Sequence, residues 1–268
     1  MKYRRQAWKH GESMDIFVFP VKEKSPGRGK KRKPTRACQE RLNKIHKADD
    51  LKRKLGLNFR EGDIYFTATY TDDDQPESYE RAYKDAKNFL ARVMRARRKL
   101  GAEEPFKWVF VTEQGSVSGR WHHHFIFTGG LPWEQVAKIW GKGKKSIDGL
   151  YYDEAGSFKG IAYYFCKVEE KNKKASDDDD EIGSGGRLHT SRNLIKPNCT
   201  ENDFEISRRK ASRIAKSVID DDISDIIGIT KGYRIVEAAN FFNEIDGCYY
   251  LKIYLRKAKE KKKGRRSP

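Results

Sequence analysis

Three consecutive histidines, His122, His123 and His124, lie inside an apolar run that extends from Trp121 to Phe127. Such a run is typical of a buried β-strand, in which imidazole is an uncommon side chain. Side chains alternate between the two faces of a strand, so His122 and His124 share one face and His123 points to the other. Two imidazoles at this spacing on a rigid backbone form a ready pair of ligands for a divalent metal ion.

A carboxylate is placed to complete this pair. A second strand is predicted over 107–113, and residues rich in Gly and Ser separate it from the histidine strand. If Glu113 pairs with His122 in an antiparallel hairpin, it lies on the face that carries His122 and His124. The three side chains would then bind Mg²⁺ or Mn²⁺ and leave positions open for water or substrate oxygens. Two alternatives remain: histidines that bond to backbone groups or solvent, and a two-histidine, one-carboxylate site for iron.

A tyrosine nucleophile is the second chemical feature, in a helix predicted over 157–170. Lys167 follows Tyr164 by three residues and Tyr163 by four, so either hydroxyl can lie near its ammonium group. A tyrosine is a weak nucleophile at its free pKa of about 10, and a nearby cation and a polarised phosphate would make its attack feasible. The sequence leaves the choice of tyrosine open. Tyr164 also lies on an apolar helical stripe, so packing in the core is the alternative.

The charge of the chain indicates a polyanionic partner. It contains 57 lysines and arginines against 39 aspartates and glutamates, a net charge of +18. Nucleic acid is the simplest partner for so basic a chain, although cations can also be plain solvated surface. We expect neither a membrane span nor a signal peptide. The four cysteines are scattered without paired spacing, which favours a reducing cytoplasm.

The elements that must position these residues alternate along the chain. Helices are predicted over 37–55, 78–100, between Pro132 and Gly141, and over 206–218, with a strand at Ile64–Tyr70 and a strand pair, turning at Asp246, that ends in 248–255. Strands separated by helices indicate an α+β fold with a central, largely antiparallel sheet and flanking helices. We divide the chain into a basic arm and helix (1–60), a core (61–172), an acidic disordered loop (173–186), a C-terminal part that completes or flanks the domain (187–255), and a basic tail (256–268).

Three elements, in this order, resemble the HUH endonucleases of the rolling-circle replication-initiator class. They are the strand end Glu113–Gly115, the segment Gly119–Phe125 and the helix residues Tyr164–Lys167. The strand Ile64–Tyr70 resembles the family's first motif, which has little direct chemistry. The resemblance covers about Asp63 to Lys171 and implies a replication-initiator (Rep-like) nuclease fold there.

The resemblance also implies a role for each residue. Glu113, His122 and His124 would hold Mg²⁺ or Mn²⁺, Tyr164 would be the nucleophile, and Lys167 its partner. Two positions complete the comparison: His123 stands where the family has a hydrophobic residue, and Gly160 where enzymes with paired tyrosines have the second one. A single-tyrosine initiator is therefore implied.

Such an enzyme would bind single-stranded or hairpin origin DNA of a plasmid, phage or integrated element, in the cytoplasm of a bacterial host. It would cut one strand through a 5′-phosphotyrosine intermediate and free a 3′-OH for a host polymerase, while a host helicase unwinds the duplex. The alternatives are a nucleic-acid-binding protein with structural histidines and, less favoured, an iron oxygenase. Further DNA contacts are expected at basic residues: Arg120, Lys142, Lys144, Lys145 and Arg192. The segment 187–193 looks functional but receives no role.

Overall fold

The structure is a computed structural model that describes residues 2–21, 37–115, 118–168, 187–219, 232–244 and 247–258. Clustering of the chain gives two compact units. Unit 1 comprises Met1–Pro34 and Pro197–Pro268, and unit 2 comprises Thr35–Lys196. The predicted basic arm at 22–36, the acidic loop, the turn at Asp246 and the tail beyond 258 lie outside the described residues.

The described residues form five helices and ten strands. The helices are α1 (Ala37–Asn58), α2 (Tyr79–Lys99), α3 (Trp133–Trp140), α4 (Lys159–Phe165) and α5 (Arg208–Ile219). The strands are β1 (Lys2–His10), β2 (Ser13–Val21), β3 (Ile64–Thr69), β4 (Trp108–Gln114), β5 (Trp121–Phe127), β6 (Lys145–Gly149), β7 (Arg187–Thr190), β8 (Cys199–Asn202), β9 (Tyr233–Asn243) and β10 (Cys248–Lys257). The predicted α+β class is confirmed. Among these helices, none is both long and apolar enough to cross a membrane.

Unit 2 contains a five-stranded antiparallel sheet in the order β6-β3-β5-β4-β7. One face buries rings such as Phe110 and Phe125 against Phe89 of α2. The other face buries Val109 and Val111 in a cluster that includes residues of α1 and α4. Because both faces are covered, β4 and β5 read as almost continuous apolar runs. The three histidines of β5 are therefore held at the centre of the sheet.

The helices of unit 2 follow local signals in the sequence. The side chain of Ser78 caps α2 by accepting a hydrogen bond from the backbone N–H of Arg81, and basic residues fill its last turn. Helix α4 is shorter than predicted, since it ends at Phe165 instead of extending to residue 170. The backbone of Lys167 has a φ of +51°, which a helix cannot continue through.

Unit 1 contains a second antiparallel sheet, in the order β8-β1-β2-β10-β9. Its core packs residues of α5, such as Ile214, against apolar residues of the strands, such as Tyr3 and Ile16. We predicted the β9–β10 pair and α5, but one central sheet and an unpaired arm before residue 37. The hairpin of β1 and β2 was missed because Lys2–His10 is mainly charged and polar, and only alternate residues such as Tyr3 and Ala7 are buried. Strands β6, β7 and β8 were also not predicted, being only four or five residues long.

Candidate active site

The two histidines of one strand face and the glutamate of the next strand come together as predicted. Strand β4 pairs with β5 so that Glu113 lies opposite His122, and Thr112 opposite His123. Glu113, His122 and His124, which we call the triad, each offer a ligand atom within 4.8 Å of the others. Backbone pairing in the centre of a sheet, rather than a loop, sets their spacing.

The carboxylate of Glu113 is buried, and its charge is compensated on one oxygen. Its Oε2 lies 2.5 Å from Nζ of Lys167 and 3.5 Å from Nε2 of His122. Burial raises the pKa of Glu113, but hydrogen bonds with His122 and Lys167 and the charge of Lys167 outweigh it and hold the pKa below its usual range. Nδ1 of His122 lies 3.4 Å from the carbonyl oxygen of Arg120, so Nε2 is the atom that faces the carboxylate.

The second oxygen of Glu113 shows that a cation fits the triad. Oε1 is buried and has no hydrogen-bond partner among the described residues. A buried polar atom without a partner costs about 1–3 kcal/mol, and more when it is charged. A divalent cation would satisfy this oxygen. Two imidazoles beside a carboxylate suit a first-row ion such as Mn²⁺, whereas Mg²⁺ prefers oxygen ligands.

Strand β3 has a chemical part that we did not predict, because it orients His124. Nδ1 of His124 lies 3.1 Å from Oγ1 of Thr67 and 3.2 Å from the hydroxyl of Tyr65. Burial lowers the pKa of His124 to about 4, against the opposing charge of Glu113, so the ring is neutral near pH 7. With its proton on Nδ1 and donated to these hydroxyls, the ring presents the Nε2 lone pair to the triad. Only the strand register, which places Thr67 opposite His124, reveals this.

Removing the Thr67 hydroxyl should weaken metal binding without unfolding the site. We expect Thr67→Val, which keeps the shape of the side chain, to raise the Kd for Mn²⁺ by roughly 10-fold, as losses of such outer partners do. Titration of free Mn²⁺ by electron paramagnetic resonance measures this. The matched control is Thr69→Val on the same face of β3, whose hydroxyl donates instead to the carbonyl of Lys144. Equal losses in the two variants would contradict the orienting role.

His123 lies on the opposite face of the sheet and is fully buried. Its Nε2 is 2.7 Å from the hydroxyl of Tyr70, and its Nδ1 is 2.9 Å from Oγ1 of Thr112. Burial, and then the neighbouring histidines, lower its pKa to about 3. It is therefore a neutral core histidine with both ring nitrogens bonded, which explains how a polar ring occupies a position where a hydrophobic residue was expected.

The rotation of α4 separates the two tyrosines that the sequence left as alternatives. The hydroxyl of Tyr164 lies 3.0 Å from Nε2 of His124, and its side chain is 46% exposed. The hydroxyl of Tyr163 instead donates to Oδ1 of Asp49 on α1, at 3.1 Å. Burial, then the neighbouring Tyr65 and Glu113, raise the pKa of Tyr164 to about 12. The structure thus brings Tyr164, and not Tyr163, to the triad.

Lys167 reaches this point because the backbone reverses after α4. Its N–H bonds to the carbonyl of Tyr164, and that of Val168 to the carbonyl of Tyr163, both at 3.1 Å. This is the Schellman pattern of helix ends, in which glycine usually holds the left-handed position. Among the described residues Lys167 alone has a positive φ without being a glycine. The turn carries its Nζ to Glu113 and to 4.9 Å from the centre of the Tyr164 ring.

Comparison with known families places this arrangement. Residues 63–173 match the family model described as Replication-associated protein ORF2. The matched segment covers less than half of the chain, nearly the same stretch as the resemblance drawn from the motifs, and includes the triad, Tyr164 and Lys167. It supports a role in replication initiation. Searches of curated proteins and of solved structures found no match.

The left-handed backbone of Lys167 should be measurable as strain. A non-glycine residue costs roughly 1–2 kcal/mol in this conformation. We therefore expect Lys167→Gly to have a free energy of unfolding about 1 kcal/mol higher than Lys167→Ala, although both lose the ammonium group. Urea unfolding of the two variants at equal pH measures the difference. A variant with alanine as stable as that with glycine would show that the turn relaxes in solution.

The basic residues proposed as DNA contacts do not form one surface in unit 2. Arg120 pairs with Asp72, and Lys142 with Asp85 at 3.2 Å, so both are engaged within the fold. The other three are exposed at opposite edges of the sheet. Lys144 and Lys145 lie at the β6 edge, and Arg192 follows β7.

Proposed function

We propose that this chain is a site-specific endonuclease that nicks and rejoins one DNA strand to initiate rolling-circle replication. One observation carries the proposal: the hydroxyl of Tyr164 lies 3.0 Å from a ring nitrogen of His124, so a nucleophile and a divalent-metal triad share one site. The match to a replication-associated family and the net charge of +18 support a DNA substrate. A tyrosine used only for packing would not need its hydroxyl there.

The residues would divide the reaction between them. A divalent cation, Mn²⁺ or Mg²⁺, held by Glu113, His122 and His124 would polarise the scissile phosphate and offset its growing charge. The oxygen of Tyr164 attacks phosphorus and the bond from phosphorus to the 3′ oxygen breaks. This leaves a 5′-phosphotyrosine link and a free 3′-OH, which takes up a proton. The phosphodiester energy is kept in this link, so rejoining needs no ATP.

The protonated Tyr164 is the obstacle to this attack, and Lys167 addresses it. A pKa of about 12 leaves the hydroxyl almost fully protonated near pH 7. The ammonium of Lys167 lies 4.9 Å from the centre of the Tyr164 ring and would favour the phenolate as it forms. His124 Nε2 has a single lone pair, so accepting the Tyr164 hydrogen bond and binding a cation are alternatives for that atom. Loading the site would therefore release the hydroxyl for attack.

A covalent adduct tests the function without knowledge of the origin. The protein is incubated with a pool of single-stranded oligonucleotides that contains random sequence and hairpins, in Mn²⁺ or in chelator. We expect a protein–DNA adduct on a denaturing gel with Mn²⁺ only, and a released fragment that a polymerase extends from its 3′-OH. Sequencing the trapped DNA identifies the site. Tight binding without an adduct on any DNA of the pool would favour a non-catalytic binding protein.

A further inference from the structure

The segment 187–193, which received no role from the sequence, forms an edge of the unit 2 sheet. Strand β7 pairs with β4 so that Arg187 lies opposite Thr112 and His189 opposite Phe110. Since Thr112 and Phe110 alternate with Glu113, Arg187 and His189 are on the face opposite to the triad. Arg187 is also next to the strand position that precedes Glu113, so only the edge strand separates it from the metal side.

His189 fastens this edge strand to α2. Its Nε2 is 2.6 Å from the hydroxyl of Tyr79, and its ring lies 4.9 Å from Phe110 and 4.7 Å from Tyr83, between ring centres. These contacts occupy both the nitrogen and the ring. His189 therefore has a structural role, and the side chains around it form the accessible surface.

Three cations collect beside His189 without counter-charges. Arg187 lies over the ring of Tyr79 at 4.9 Å, and Lys87 over the ring of Trp108 at 4.3 Å. The charge of Arg192 reaches Lys87, where burial and then this neighbour lower the lysine's pKa. In the part of the chain that the structure describes, none of the three makes an ion pair with a carboxylate. Like charges gathered in this way attract an anion.

We infer that this surface, formed by Lys87, Arg187 and Arg192 with the rings of Tyr79 and Trp108, binds the single-stranded DNA that flanks the cleaved phosphate. The inference rests on the proposed function. Cations bind backbone phosphates, and partly exposed rings stack unpaired bases. A base on either ring takes the place of the cation above it and leaves that cation for a phosphate. Paired bases in a duplex have no free faces to stack, so the rings favour a single strand.

The position of the surface suits a flanking strand rather than the cleaved nucleotide. Arg187 is opposite Thr112, whose neighbour in the chain, Glu113, belongs to the triad. Strand β7 is only four residues long and ends the sheet, so DNA can pass around it from one face to the other. The triad would hold the scissile phosphate and the edge surface the strand next to it.

Binding of (dT)₃₀ in chelator tests the surface apart from cleavage. We expect the variant Lys87→Gln, Arg187→Gln, Arg192→Gln to bind at least roughly 10-fold more weakly, measured by fluorescence anisotropy. Its plot of log affinity against log salt should be less steep by about 2, since each phosphate contact on a single strand contributes about 0.7. The matched control removes three other exposed cations of unit 2: Arg98→Gln, Lys99→Gln, Lys138→Gln. It should bind (dT)₃₀ as the unmodified protein does.

Two further measurements separate binding from folding and from catalysis. The charge-retaining variant Lys87→Arg, Arg187→Lys, Arg192→Lys should keep its affinity within about 3-fold, and 5-bromouracil in the strand should crosslink to Tyr79 or Trp108. At saturating protein, the neutral variant should form adducts at the unmodified rate. If it binds as the control does, or loses only hairpin duplex affinity, or if the charge-retaining variant is equally weak, the inference is overturned. Absence of adducts from the unmodified protein would overturn the proposed function instead, and the (dT)₃₀ comparison would still decide this surface.

Discussion

Replacing Tyr164 with phenylalanine should abolish the protein–DNA adduct, with a loss of roughly 10⁴-fold or more in the rate of strand cleavage. The substitution removes only the oxygen that lies 3.0 Å from His124 Nε2, and nearly half of the side chain is exposed. The fold and the triad should therefore survive, and Mn²⁺ should bind with a Kd within about 3-fold of that of the unmodified protein. Single-turnover cleavage on a denaturing gel, with DNA recovered from the oligonucleotide pool, measures the effect.

Tyr163→Phe is the matched control, since it removes the same atom one residue earlier on the same helix. Its hydroxyl bonds to Asp49 of α1, away from the triad. We expect this variant to form adducts at a rate within about 10-fold of the unmodified protein, and to lose about 1 kcal/mol in the free energy of unfolding. An adduct that persists in Tyr164→Phe, or that disappears only in Tyr163→Phe, would move the nucleophile away from Tyr164.

The triad could be predicted from the sequence because strands have simple parity. Alternation puts His122 and His124 on one face, and a short turn between two apolar runs leaves few registers for Glu113. The pairing of Glu113 with His122 is the register that the structure has. A residue on a strand thus carries its orientation in its number once one partner is known.

The choice between Tyr163 and Tyr164 could not be predicted, for a reason of helix geometry. Consecutive residues on a helix point about 100° apart, so which one faces the sheet depends on how the whole helix is rotated. That rotation follows from contacts far away in the sequence, such as Asp49 with Tyr163. The hydroxyls of Tyr65 and Thr67 escaped prediction for a related reason: strand β3 joins β5 across a long connection that local patterns do not constrain.

The fold was predicted where periodicity is strong and missed where charge hides it. Helix α2 and strand β5 have regular apolar spacing and match their expected ranges within a residue or two. Strand β1 has buried Tyr3 and Ala7, but cations occupy most of its other positions, so composition alone suggests a solvated arm. Its strand character comes from nine residue pairs with β2. Pairing of this kind is a tertiary effect that a window of sequence does not contain.

Substitution of the three adjacent histidines should divide them by face. We expect His122→Ala and His124→Ala to raise the Kd for Mn²⁺ by roughly 100-fold or more, at least what the loss of an outer partner costs. His123→Ala should leave the Kd within about 3-fold. It should instead lower the free energy of unfolding by about 3 kcal/mol, since it opens a cavity and strands the hydroxyls of Tyr70 and Thr112.

Urea unfolding with and without Mn²⁺ reads both effects in one experiment. An ion at 100 times its Kd stabilises a folded protein by about 2.7 kcal/mol, and at a concentration equal to its Kd by about 0.4 kcal/mol. The gain from Mn²⁺ should therefore nearly vanish in His124→Ala and persist in His123→Ala, whose starting stability is lower. At pH 7.5 the comparison is free of histidine protonation, because the pKa of His124 is lowered to about 4 and that of His123 to about 3. A full Mn²⁺ gain in His124→Ala, or its loss in His123→Ala, would mean that the strand presents its other face to the metal.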